Sequence, residues 1–123
     1  MMHLTVSSHR RDGWSVVTVA GELDIASAGL LGNHLEDVGS AHDPVRLIVD
    51  LSVLAFCDAS GLRVLVDAHD AARRRCGELR LVCPDGMITY LLRITGLIDV
   101  IPVHATLSEA LAATPSGLSV NRT

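Results

Sequence analysis

Two short β-branched runs open the chain, residues 2–8 (MHLTVSS) and 14–20 (WSVVTVA), with a polar HRRDG segment between them. Asp12-Gly13 within that segment is a turn signal, so the spacing predicts a β-hairpin. Between Ile25 and Gly39 the residues Ile25, Leu30, Leu31, Leu35 and Val38 fall at approximately helical spacing, with Glu36 and Asp37 on the opposite face. That stretch reads as a first helix. Asp43-Pro44 breaks the chain, and residues 45–51 (VRLIVDL) form an apolar run too short for a globular helix and rich in β-branched residues, which predicts a central strand.

A short segment ending in Phe56-Cys57 leads to Asp58-Ala59-Ser60-Gly61-Leu62, where a strand hands over to a helix. Leu62, Leu65, Val66, His69, Ala72 and Cys76 recur at steps of three or four and define a second helix, closed by Gly77. Glu78 to Val82 returns as a strand. Pro84 is expected to begin a third helix that runs to about Thr95 and ends at Gly96. Asp99 to Val103 reads as a last short strand, and Thr106 to Ala113 as a fourth helix, in which Thr106 and Glu109 fit a capping box. The order β-β-α-β-α-β-α-β-α implies an α/β domain with a mixed, mostly parallel sheet opened by a hairpin. A single domain is expected over residues 1–113, with residues 114–123, rich in Pro, Ser, Gly and Asn, as a disordered tail.

Charge narrows the range of partners. Ten arginines stand against fourteen acids, with no lysine, and the formal net charge is −4. That sign argues against direct nucleic-acid binding, whose affinity comes largely from neutralising phosphates. Trp14, Phe56 and Tyr90 are the only aromatic residues, too few for a platform that stacks bases. No charge-free stretch reaches the roughly 18 residues of a membrane span, and the N-terminus lacks a secretory apolar segment. A soluble, cytoplasmic protein without membrane association is expected. Cys57, Cys76 and Cys83 give an odd count with no CxxC pair, which points to reduced, mostly buried thiols.

In sheets of this kind sites lie at the carboxyl ends of strands. Two loops therefore draw attention, Gly21-Glu22-Leu23-Asp24 and Asp58-Ala59-Ser60-Gly61. Asp58 or Ser60 can cap the second helix by accepting a hydrogen bond from its first turn. Ser60 can equally carry a phosphate, an anion that a helix N-terminus accommodates, and the two readings are compatible. Catalysis finds little purchase. A Gly-x-Ser-x-Gly elbow fails at Asp58 and Leu62, a phospho-accepting aspartate lacks its lysine, and there is no P-loop, GxGxxG turn or HExxH helix. Asp24 and Asp58 could do acid/base work, but each has a simpler role as a loop or cap residue. The six histidines are scattered, none paired at i, i+4, with His69 on the apolar face of the second helix. Arg73-Arg74-Arg75 fits a solvated helix end that complements the dipole. No cofactor and no metal are expected, and the chain does not read as an enzyme.

Taken together, Gly21-Glu22-Leu23-Asp24, Leu47-Ile48-Val49-Asp50-Leu51-Ser52, Phe56-Cys57-Asp58-Ala59-Ser60-Gly61-Leu62 and Thr95-Gly96-Leu97 resemble the STAS domain, specifically the anti-sigma factor antagonists. The likeness runs from about residue 4 to residue 113. It implies that Ser60 is phosphorylated by a partner anti-sigma factor that is also a serine kinase. The unphosphorylated protein would bind that partner and free a sigma factor for transcription, and a phosphatase would restore binding after phosphorylation. Asp24 and Asp58 match the family's aspartates beside the phosphosite, Gly61 belongs to the same site, and Ser60, Leu62 and Arg63 fall where the partner would dock. Ala59 stands where the common Asp-Ser-Ser-Gly form has its first serine, which leaves one acceptor. The alternative is a constitutive STAS subunit or scaffold of a larger complex, of the lipid-transport or stressosome type, in which Ser60 is only a cap.

Overall fold

A computed structural model describes residues 3–114. The hairpin forms as expected: β1 (Thr5–Arg11) pairs antiparallel with β2 (Trp14–Leu23), and Asp12 and Gly13 turn between them with φ of 54° and 84°. Positive φ at both turn residues matches the right-handed twist of the strands. There follow α1 (Ala28–Ser40), β3 (Arg46–Asp50), β4 (Leu54–Cys57), α2 (Ala59–Arg74), β5 (Glu78–Val82), α3 (Met87–Ile94), a 3-10 turn (Leu97–Asp99), β6 (Val103–His104) and α4 (Leu107–Ala112). Strands lie in the order β1-β2-β3-β5-β6, with β4 pairing β2, and every pairing after the hairpin is parallel. The α/β class, the mixed, mostly parallel sheet and the four helices agree with the sequence pattern.

Alternation along the strands divides the core. Val17, Val19, Leu47, Val49, Leu79 and Leu81 pack against Leu31 and Leu35 of α1, Leu62 and Leu65 of α2, and Ile88 and Leu92 of α3. Trp14, Val16, Ile48 and Val82 turn the other way and meet Ala110 of α4. Helices thus cover both sides of β3, which is why its sequence is a continuous apolar run rather than an alternating one.

Several boundaries differ from the sequence reading. Gly21, Glu22 and Leu23 are not a loop but the last turns of β2, paired with β4 across a register shift. That extra strand, β4, was absent from the expected order. α1 starts at Ala28 rather than Ile25, and residues 24–27 form a separate turn ahead of it in which the Asp24 carboxylate accepts the Ala26 and Ser27 backbone N–H groups. Ile25 and Leu30 are exposed, and the buried stripe of α1 is Leu31, Leu35 and Gly39. α3 begins three residues after Pro84, whose carbonyl accepts the Thr89 hydroxyl. Pro102 has no N–H to donate, and the segment 97–99 winds into a 3-10 turn, so the last strand shrinks to Val103–His104. The Thr106 cap forms, with its hydroxyl accepting the Glu109 N–H at 3.1 Å. The expected tail beyond Thr114 lies outside the described residues.

Gly77 acts for a reason other than helix termination. The left-handed residue at the end of α2 is Cys76, with φ 59°, while the Gly77 N–H returns to the Ala72 carbonyl at 2.7 Å. A Cβ on Gly77 would sit 2.2 Å from the Val45 carbonyl oxygen, so glycine is what lets the chain pass against the start of β3. Gly29, in α1, has nothing within 4 Å of such a Cβ. Gly77→Ala is expected to lower unfolding stability by about 2–3 kcal/mol, and Gly29→Ala to raise it by about 0.5–1 kcal/mol. Urea midpoints of the two variants measure the difference, and matching midpoints would contradict the packing at Gly77.

Candidate functional site

β2 and β4 end side by side. Leu23 pairs with Cys57, and the Asp58 N–H donates to the Leu23 carbonyl at 3.1 Å. Asp24 and Asp58 therefore leave adjacent parallel strands at the same edge of the sheet. Each carboxylate then organises the chain that follows it.

Asp58 is the N-cap of α2. Its Oδ1 accepts the backbone N–H of Ser60 at 2.9 Å and of Gly61 at 3.2 Å, using two of the donors a helix start leaves unpaired. The cap is thus the aspartate rather than Ser60. Ser60 is the second residue of the helix, half-buried, and its hydroxyl makes no hydrogen bond among the described residues. Asp24 does the same for the chain ahead of α1: its Oδ1 accepts from Ala26 N and Ser27 N and lies 3.1 Å from the Ser27 hydroxyl. The Ser27 hydroxyl also accepts the Asp24 N–H at 3.0 Å and reaches the Glu22 carbonyl at 3.0 Å. Asp24 is a structural part of this corner.

Gly61 seats the helix on the strands. A Cβ there would lie 2.6 Å from Leu23 Cγ and 2.8 Å from Cys57 Sγ, so α2 approaches the paired ends of β2 and β4 as closely as it does only without a side chain. Burial, then the charges of Asp58 and Cys83, push the Cys57 thiol up to about 11, which keeps it a neutral packing group. Cys83 is buried too and Cys76 is exposed; all three are free.

Of the residues expected to meet a partner, Leu62 turns inward and joins the core, while Arg63 is exposed. Arg63 pairs with Asp67 one turn on at 3.2 Å, but both side chains are largely in water and the pair is open to exchange. The sequence reading missed two apolar groups at this edge: Ile25, next to Asp24, and Phe56, two residues before Asp58, are both exposed. The signal for Phe56 is the four-residue strand itself, buried only at its two ends. Among the described residues no group of three or more His, Cys, Asp or Glu is placed to hold a metal ion, and no helix is long and apolar enough to cross a membrane.

The corner thus combines a mixed sheet covered by helices on both faces with a serine at a helix N-terminus capped by an aspartate. The chain belongs to the STAS domain family, whose pattern it matches over residues 5–110. It is similar to the anti-sigma-F factor antagonist RsfA of Mycobacterium tuberculosis, 31% identical over 89% of this chain and 85% of that protein. The anti-sigma-B factor antagonist of Listeria monocytogenes is 32% identical over 83% of this chain and 90% of its own length. Among solved structures, an anti-sigma factor antagonist from Mycobacterium paratuberculosis superposes with a TM-score of 0.81 at 29% identity, covering 89% of this chain and 92% of that one.

Removing the cap should loosen the start of α2. Asp58→Ala is expected to cost about 1 kcal/mol, and Asp58→Asn, which keeps an acceptor, much less; thermal unfolding of the three proteins decides it. Stability should also depend on pH through histidine. Burial holds the pKa of His69 below 6.5, opposed by the Asp70 charge and aided by that of Arg73, and burial followed by the Arg80 charge lowers that of His104. The unfolded chain then takes up protons that the folded one refuses, so stability falls as pH drops below about 6.5. Urea midpoints at about pH 7.5 and about pH 5.5 should show that fall, and His69→Leu should reduce it without abolishing it.

Proposed function

We propose that the protein is an anti-sigma factor antagonist that works by partner switching at Ser60. In its unphosphorylated form it binds an anti-sigma factor with serine kinase activity and so frees a sigma factor; phosphorylation of Ser60 ends that binding, and a phosphatase restores it. The setting is the cytoplasm, and the chain is a substrate rather than a catalyst. The observation that carries this reading is the position of the Ser60 hydroxyl, without a hydrogen-bond partner among the described residues, at the strand-end corner that Asp58 and Asp24 organise. Relatives named as antagonists of anti-sigma-F and anti-sigma-B factors support the choice of partner.

The physical chemistry fits a switch. Phosphate adds about −1.5 to −2 charges next to the Asp58 cap, on a surface that a partner must strip of water. Exposed Phe56 and Ile25 give that surface apolar area, and Arg63 gives it a charge that can leave Asp67 for a partner carboxylate. A penalty of about 3 kcal/mol would weaken the complex more than a hundredfold.

Intact-mass spectrometry of protein purified from its own host, with mapping of the modified peptide, should find a single phosphate on Ser60. Binding of the partner kinase, measured by calorimetry, should persist in Ser60→Ala and drop at least about a hundredfold in Ser60→Asp. Equal affinity of the two variants would sink the switch. An unmodified protein in every growth and stress condition would instead favour a constitutive STAS subunit or scaffold.

A further inference from the structure

The opposite edge of the sheet, where β2, β3 and β5 begin, carries a different chemistry. A cleft of about 560 Å³ opens there, lined by Trp14, Arg46, Arg73, Glu78, Arg80 and Leu111 among others. The register explains the assembly: Arg46 of β3 pairs with Glu78 of β5, Trp14 precedes Ser15, which pairs with Leu47, and Arg80 follows Glu78 on the same face. Arg73 comes from the last turn of α2. In a chain of formal net charge −4, three arginines meet one glutamate in this one place.

Arg80 is the unusual member. It is 1% exposed, lies with its guanidinium 4.3 Å from the centre of the Trp14 ring, and donates from Nε to Glu78 at 2.8 Å and from Nη1 to the Ala110 carbonyl. Its Nη2 is buried and has no acceptor among the described residues. A buried guanidinium with a donor left over is costly, and its charge stays uncompensated on that side. Arg46 and Arg73 form no ion pair among the described residues, so their charges add to an excess that Glu78 alone does not offset.

We propose that this cleft binds a small oxyanion-bearing compound, a phosphate or a carboxylate, through the exposed Arg46 and Arg73, with the buried charge of Arg80 behind them. Guanidinium groups present paired N–H donors that match the oxygens of either anion, and the Trp14 and Leu111 side chains give an apolar wall for the rest of the molecule. The volume lies in the range of small-molecule sites. Because Ser60 stands at the other edge of the sheet, a ligand here leaves the proposed partner surface uncovered.

Trp14 is the only tryptophan, so its fluorescence reads this cleft directly. Inorganic phosphate and citrate, each titrated at constant ionic strength against sodium chloride, are the probes. A saturable change with either one supports the proposal, phosphate alone identifying a phosphate ligand and citrate alone a carboxylate. In the Arg46→Ala/Arg73→Ala double variant, whose replaced side chains are exposed and make no ion pair among the described residues, half-saturation should rise at least about tenfold. Arg93→Ala, which removes an exposed arginine outside the cleft, should leave it unchanged. A response no different from sodium chloride, or one that the double variant keeps in full, would overturn the assignment.

Discussion

The backbone hydrogen bond from Asp58 to the Leu23 carbonyl closes the pairing of β2 with β4, and most of what the molecule presents at that edge depends on it. β2 is ten residues long, twice the length of β3, and uses its two halves differently. Its first half pairs with β3, and once β3 ends at Asp50 the vacant side of β2 is taken by β4. Asp50 makes that exchange local: its Oδ1 accepts the Ser52 N–H at 2.9 Å and the Ser52 hydroxyl at 2.6 Å, folding the chain into the short turn before β4. Had β3 run straight on, α2 would start further along the sheet and away from Asp24. The handover is what brings two aspartates to one corner, and the missing side chain of Gly61 is what lets α2 settle on it.

The two faces of the sheet are built on different terms. The face under α1, α2 and α3 is almost wholly aliphatic and tolerates the thiols of Cys57 and Cys83 as small apolar groups. The face under α4 is smaller, and a helix of six residues cannot cover it alone. Arg80 completes it. Its aliphatic stem and planar head lie against Trp14, one hydrogen bond ties it to the end of α4 through Ala110, and Glu78 balances its charge. The last helix is therefore docked by a polar contact as well as an apolar one, and the polar one leaves the positive excess at the beginning of the strands.

Much of the fold was legible because its core elements obey one period each. β5 was read at its true boundaries, and the buried stripe of α2, including His69, follows its apolar spacing. The failures share a cause: backbone geometry fixed by contacts distant in sequence. Gly21, with φ 96°, stays in a strand because a side chain would meet the His3 carbonyl, and no local signal distinguishes that from a turn glycine. β4 has four residues, of which two are buried, too few for any alternation to register. Ile25 and Leu30 mimic a helical face, yet both are exposed, and the chain ahead of Ala28 is a turn rather than helix. At the corner itself the sequence left open whether Asp58 or Ser60 caps α2, and of the two roles it offered Leu62, the apolar stripe of α2 and the partner surface, the structure has the first. Arg80 was hidden by a general expectation, since a charged residue in a strand ordinarily marks its wet side.

The corner sets two electrostatic demands against each other. A helix start favours an anion by about 0.3–1 kcal/mol, more where partly buried, and α2 has sixteen residues behind its first turn. By itself that would make Ser60 a hospitable place for phosphate. But Asp58 already holds the N–H groups of Ser60 and Gly61, so a phosphate on Ser60 would meet a helix start whose nearest donors are taken by another anion. It would have either to turn outward, where it exposes a dianion on the apolar rim of Phe56 and Ile25, or to displace Asp58 and unmake the cap. The first course changes the charge of the surface and the second its shape. Under the proposed switch, then, the aspartate that fixes the unmodified corner is also what prevents the same corner from absorbing the modification silently.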